Sequence, residues 1–449
     1  MQHLITRRRA LGNVATLFSS ALLHPYVNDI LHRKKPWRVG LIGCGWYGTS
    51  DLLKLIQVAH VEIVGLCDVD EKNIAQTLRI VQERTGQTRI ATFHNYQQLL
   101  AEGLDIVVIG TPDHWHALQG IDAIQSGAHL YLQKPISVDV LEGEVLVQTA
   151  RDLNKVVQIG LQRRSTPHLI NAKENVIEAG LLGKIARVEM CCYYHMRGNI
   201  KNQVVPIPEH LDFDQWCGPA PVRAYNQSPH RGWWRAFMEY SNGIMGDMCV
   251  HMLDTVRWLL DLGWPTEISS IGGIYVQKES LSNTADTQNA VFKFPELECI
   301  WNHRSWGTPP DPEYPWAFFI YGEKGTLKGS VHKYEFIPRG SGEHLNMDAV
   351  YEREQFPEDL NEPGIELHTA AATRGQFVDL LYAIENGGTP LADIHEGHIS
   401  TASCILANIS MVLGRPLKYD PMTKRVVGDP EATNLLARKY REGYVHPSE

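Results

Sequence analysis

The chain has 449 residues, 43% hydrophobic and 21% charged, with a formal net charge of −9. That size and composition fit a globular protein of two or three domains, and the acidic balance argues against a nucleic-acid binder. No uninterrupted apolar run reaches the length of a membrane span. The eight cysteines contain no Cys-x-x-Cys pair, so neither a structural zinc nor a thioredoxin-like site is indicated, and in so long a chain they do not read as a disulfide scaffold.

Residues 1–35 read as a leader or disordered arm outside the fold. Arg7-Arg8-Arg9 precedes a mildly apolar stretch and then a basic, proline-containing one, as in a twin-arginine (Tat) export signal. Asn13 interrupts the run and no Ala-x-Ala site follows, so a plain basic arm stands beside that reading. Export would make the protein periplasmic; otherwise it is cytoplasmic.

Residues 36–160 alternate short apolar runs with helical periodicity, the pattern of a doubly wound parallel α/β (Rossmann) sheet. The first run, Arg38 to Ile42, leads into Gly43-Cys44-Gly45-Trp46-Tyr47-Gly48 and a helix. Glycines at this spacing give a tight turn, a close backbone approach to a pyrophosphate, and close helix–strand packing, with the helix N-terminus facing the phosphates. The second strand ends in Asp68, 20 residues beyond Gly48, where a carboxylate accepts hydrogen bonds from adenosine ribose hydroxyls. Its charge would repel a 2′-phosphate, so the expected cofactor is NAD, tightly bound, with Lys72 the one nearby reason to keep NADP open. Residues 71–84 read as a helix, 90–93 as a strand and 96–100 as a short helix. The strand 105–110 ends in Thr111-Pro112-Asp113-His114-Trp115-His116, and 127–132 delivers Gln133-Lys134-Pro135, both at the carboxyl edge where such sheets bind ligands. Trp46, Tyr47, Thr111, Pro112, His114, His116, Gln133 and Lys134 therefore join Gly43, Gly45, Gly48 and Asp68 as candidate cofactor residues.

Residues 161–449 read as a second α/β domain with an open, largely antiparallel sheet. A strand is expected over 185–195, a loop rich in tryptophan over 204–234, a helix over 245–260, a hairpin around Pro295-Glu296, and long helices over 365–386 and 397–413.

Three groups could do chemistry. Lys134 lies where the nicotinamide is expected and could stabilise charge on a substrate oxygen. In Gly246–Asp254, Asp247 and His251 are four apart on a helix, a spacing that lets the carboxylate orient the imidazole while it takes a hydroxyl proton; Asp254 could also reach it. A metal is not expected, because no third ligand is placed. Trp216, Tyr225, His230, Trp233 and Trp234 could form sugar-binding platforms or simply pack the loop, and Tyr193, Tyr194 and His195 are weaker candidates. Arg163, Tyr194, Trp233 and Trp234, with Asp247 and His251, make up the candidate substrate set.

Taken together, Gly43–Gly48, the Thr111–His116 segment, Gln133-Lys134-Pro135, Gly246–Asp254 and the closing Gly414-Arg415-Pro416-Leu417-Lys418-Tyr419-Asp420-Pro421 resemble the Gfo/Idh/MocA oxidoreductases, over nearly the whole chain from Arg38 on. The resemblance implies a Rossmann domain and an α/β domain whose open sheet often forms a homo-oligomer interface, giving a dimer or tetramer. It assigns Lys134 to the family's Glu-Lys-Pro lysine and Asp247 and His251 to its acid–base pair. Gln133 departs from the family, which usually has Glu there. The leader and the tryptophan-rich loop look like the exported, sugar-directed branch.

The expected function is hydride transfer between NAD and a sugar hydroxyl carbon, with a carbohydrate as the partner. The alternative is a redox-neutral glycosidase, in which transient oxidation at C3 enables elimination and hydration while the bound cofactor is restored. The tyrosine–proline–threonine–histidine signature of one such glycosidase group is absent. A non-catalytic NAD-binding sensor is disfavoured because Lys134 and His251 are both present.

Overall fold

The computed structural model describes residues 34–193, 203–227, 233–362 and 367–449. Residues 1–33 of the leader lie outside them, as do Tyr194, His195 and His230.

Six strands form the first sheet: β1 (Trp37–Ile42), β2 (Val61–Cys67), β3 (Ala91–Phe93), β4 (Ile106–Ile109), β5 (His129–Leu132) and β6 (Val157–Ile159). All pair in parallel, in the order β3-β2-β1-β4-β5-β6. β4, Ile-Val-Val-Ile, is buried throughout, as a strand covered on both faces must be. The order reverses between β1 and β4, the crevice where open α/β sheets bind ligands.

The second sheet has eight strands: β7 (Ile185–Cys192), β8 (Glu267–Gly273), β9 (Thr287–Lys293), β10 (Glu298–Arg304), β11 (Trp316–Gly322), β12 (Gly325–Ser330), β13 (Lys333–Pro338) and β14 (Leu345–Asp348). Their order is β14-β13-β12-β11-β7-β10-β9-β8, antiparallel apart from the β7–β10 pair. The expected hairpin at Pro295-Glu296 is β9–β10. Alternation along β10 buries Cys299, Trp301 and His303 on one face. The other face is polar: Arg187 pairs with Glu189 and Glu298, and Tyr321 donates to Glu189. The fold is therefore α/β, a Rossmann sheet followed by an open, largely antiparallel one.

The chain then returns to the first sheet. Helix α1 (Trp46–Val58) packs against helix α2 (Leu367–Asn386), whose Phe377, Leu380 and Leu381 enter the core with Val39, Leu41, Leu52 and Ile63. Phe377 stacks on Tyr131 with ring centroids 4.3 Å apart. A buried ion network locks this contact: Lys54 Nζ lies 2.7 Å from Asp359 and 2.9 Å from Glu362, and Arg374 lies 2.8 Å from Asp359. Removing one member leaves the others buried and unbalanced, so Lys54→Ala should cost about 3–5 kcal/mol. Denaturant unfolding checks this; a loss below about 1 kcal/mol would contradict it.

Candidate active site

The glycine motif builds the dinucleotide end. Gly43 has φ +92°, a backbone region that only glycine enters cheaply, and a Cβ on Gly48 would stand 2.1 Å from the Gly43 carbonyl oxygen. A Cβ on Gly45, in contrast, would meet nothing within 4 Å. That side of the turn opens into a cleft of about 300 Å³ bounded by Gly43, Gly45, Trp46, Asp68, Thr111 and Pro112. A side chain at Gly45 would fill the cradle, so the turn suits a group that must approach backbone closely. Asp68 accepts from the amides of Cys44 (2.8 Å) and Asp70 (2.9 Å), which aim its carboxylate; burial raises its pKa to about 6. Lys72 is exposed and does not line the cleft. These residues fit NAD. The far end adds His94, Asn95 and Tyr96, from the turn after β3.

A second cavity, about 350 Å³, shares Trp46, Tyr47, Gly110, Thr111 and Arg235 with the first. Its walls bring together Gln133, Lys134, Arg163, Asp247, His251 and Trp316, with His332 and His368 opposite. The two cavities are thus contiguous. Lys134 is 7% exposed, and its Nζ donates to Asp247 at Oδ1 (2.5 Å) and at the backbone oxygen (3.1 Å). An ammonium has three donors, so one remains for a substrate oxygen. Arg235 Nε forms an ion pair with the same Asp247 oxygen at 3.1 Å, its guanidinium lying over the Trp234 ring. Burial alone would raise the Asp247 pKa, but Arg235 and Lys134 outweigh it and hold the group ionised.

The expected helix over 245–260 begins instead as a wide π turn, Met245–Cys249, before helix α3 (Val250–Leu259). Such turns recur at functional sites because they re-aim side chains. Here the expected Asp247–His251 hydrogen bond is not formed: Asp247 is taken by Lys134 and Arg235, and His251 Nδ1 has no hydrogen-bond partner. Burial, then Lys134, Arg163 and Arg235, hold His251 far below its usual pKa. Its imidazole is neutral, the form that accepts a proton, and sits edge-on to Trp316 with centroids 5.5 Å apart. Asp254 does not reach His251 either; it receives both ends of Arg164 at 2.8 Å.

The other expected residues separate. His114 is turned away from both cavities and bonds the Trp216 carbonyl oxygen at 2.9 Å. His116 lines the second cavity, its two ring nitrogens 2.6 Å from the Pro135 carbonyl oxygen and 2.9 Å from that of Thr111, of which the neutral ring donates to one. Gln133 donates to Asp51 at 2.7 Å. Trp216, Tyr225 and Trp234 belong to a buried aromatic cluster whose edge, at Trp216 and Trp234, touches the dinucleotide cleft; Trp233 is exposed and lines neither cavity. In the second cavity the aromatic lining is Trp46, Tyr47 and Trp316, with Arg163 over the Trp316 ring. Arg235, Trp316, His332 and His368 were missed by sequence reasoning. Among the described residues, the three-membered set of metal-capable side chains is Asp139, Glu142 and His446, and protein groups occupy it: His446 and the Arg438 amide bind Asp139, while Tyr440 binds Glu142.

Asp51, buried in α1 behind Gln133, has its pKa raised to about 8 by burial. A raised folded-state value means its contribution to stability is complete below the ordinary 3.8 and is lost as pH rises toward about 8. Asp51→Asn should therefore flatten the fall in Tm across that interval; an unchanged slope in thermal melts would contradict it.

Family models match both parts of the chain: one described as an oxidoreductase family NAD-binding Rossmann fold over residues 37–161, the other as that family's C-terminal alpha/beta domain over 169–271. An alpha-N-acetylgalactosaminidase of Shewanella oneidensis is 27% identical over 172 residues, 36% of each chain, so the match spans about a third of that relative's length. Among solved structures, an Agrobacterium radiobacter oxidoreductase in complex with NAD+, L-tartaric acid and magnesium has a TM-score of 0.63 at 17% identity, covering 86% of this chain and 98% of its own. An aldose-aldose oxidoreductase of Caulobacter crescentus has a TM-score of 0.62 at 16% identity, covering 86% and 100%. The two family matches cover just over half of the sequence, the first over the whole Rossmann sheet and the second over the opening part of the other domain: the chain belongs to the Gfo/Idh/MocA oxidoreductase family and carries its NAD-binding Rossmann fold.

Proposed function

We propose that the protein is an NAD-dependent oxidoreductase acting on a sugar hydroxyl carbon. The observation that carries this reading is the meeting of Lys134, His251 and Trp316 in one cavity contiguous with the dinucleotide cleft. Bound NAD would supply the hydride acceptor. Lys134 holds the substrate oxygen through its remaining donor and stabilises the charge that develops there as the C–H bond breaks. His251, neutral and lining the cavity, takes the hydroxyl proton. Asp247 holds Lys134 and Arg235 in place rather than orienting His251. Trp316 offers a flat face to the C–H side of a pyranoside. Incubating the protein with NAD and a panel of pyranosides, while following nicotinamide absorbance, tests the reading; no absorbance change with any sugar would end it.

A redox-neutral glycosidase is the second reading, favoured by the alpha-N-acetylgalactosaminidase among the relatives. It requires aglycone release without added NAD, and deuterium at C2 when the reaction runs in D2O. The twin-arginine leader supports export, and a tightly held cofactor would suit an enzyme working away from a free NAD pool; cell fractionation decides the location. The open sheet is the surface we assign to a homo-oligomer contact, which light scattering tests.

A further inference from the structure

Asp113 opens the short turn Asp113–Trp115 after β4, next to Pro112 of the cleft wall. It is 1% exposed, and neither carboxylate oxygen has a hydrogen-bond partner. Burying a carboxylate this way is unfavourable unless nearby charge compensates.

The compensating charge comes from several elements. Arg235, on the turn Trp233–Ala236, and Lys134, on the loop after β5, favour the carboxylate; Asp247, on the π turn, opposes it; Arg438, near the C-terminus, favours it. His114 and His116, on its own segment, are held neutral by burial. Arg438 directs its donors to Met238, Ser241 and Asn242, with Asp139 and Glu142 as its stronger acidic neighbours. Glu313, at the substrate cavity wall, is bound to Lys333. Lys134 and Arg235 thus share the single acid Asp247, two positive charges against one.

We propose that Asp113 is a positioning residue acting through Lys134 and Arg235: as a carboxylate it balances their surplus charge, and as a carboxylic acid it leaves them competing for Asp247. Burial lifts its pKa to about 7, so both forms are present near neutrality. Its kinetic consequence rests on the hydride-transfer reading above; its titration does not.

The test is an infrared pH titration of the holoprotein, wild type against Asp113→Asn, with first-turnover hydride transfer from a sugar followed on the same samples. The difference between the two titrations isolates Asp113 from the other raised carboxyls, Asp51, Asp68, Glu142, Glu174 and Asp379. The expected result is one carboxyl band with a midpoint near 7, missing in the variant. The wild-type rate rises about tenfold from pH 6 to pH 8, and the variant's stays flat. Identical titrations would overturn the proposal, as would a missing band with an unchanged rate profile. Should Asp113→Asn fail to fold, Asp113→Glu takes its place: a carboxyl band and a rate profile that move together from their wild-type midpoints support the proposal, and a band that moves while the rate profile does not, or neither moving, would overturn it. A wild type that titrates as expected but transfers no hydride would sink the oxidoreductase reading while supporting the assignment of charge.

Discussion

Replacing Lys134 by methionine lowers hydride transfer by about 10²–10³-fold while the protein keeps its nicotinamide cofactor. The side chain reaches the cavity shared with the dinucleotide cleft, and two of its donors are fixed on Asp247. Methionine keeps the length of the stem and removes the charge. Arg235 remains on Asp247, so the carboxylate is not left alone and the fold should survive. Single-turnover absorbance gives the rate, and the spectrum of the released cofactor gives its occupancy. A loss smaller than about tenfold would mean that Lys134 only balances Asp247.

His251→Ala is the second large effect, about 10²–10⁴-fold in rate. His251 lies beside Trp316, and burial, then neighbouring cations, hold it neutral. A proton acceptor in that place is removed outright by alanine, and the space left admits a small base. Added imidazole should therefore restore part of the rate in His251→Ala and none in Lys134→Met. Equal behaviour of the two variants toward imidazole would contradict the separate roles given to them.

The parts of the site that sequence made legible are those carried by short contiguous motifs. The Gly43–Gly48 turn, Asp68 and Lys134 all sit at strand ends, and strand ends in a parallel sheet share one edge, so position along the chain implied position in space. Arg235, Trp316, His332 and His368 come from a turn, the start of β11, the β12–β13 connection and the start of α2. No local pattern marks them, because only the return of the chain onto the first sheet brings them together. The aromatic loop shows the opposite case. Its tryptophans stood out in the sequence, yet Trp216 and Trp234 mostly fill a small core of their own.

The Asp247–His251 pair shows why correct residues can carry an incorrect contact. Four-residue spacing implies a shared face in an α-helix, but the π turn changes the angle and two cations compete for the carboxylate. Asp254 is lost to Arg164 for the same reason: a bidentate guanidinium outcompetes a neutral imidazole. Long-range charge partners decide such contacts, and they are invisible to spacing.

The most direct measurement of hydride transfer uses pyranosides deuterated at each ring carbon in turn, incubated with the holoprotein, with the cofactor recovered for mass spectrometry. The account predicts that one labelled position, and no other, places deuterium on the nicotinamide, and that Lys134→Met and His251→Ala each slow its appearance. Label that never reaches the nicotinamide from any position, under conditions where the sugar is consumed, would contradict it.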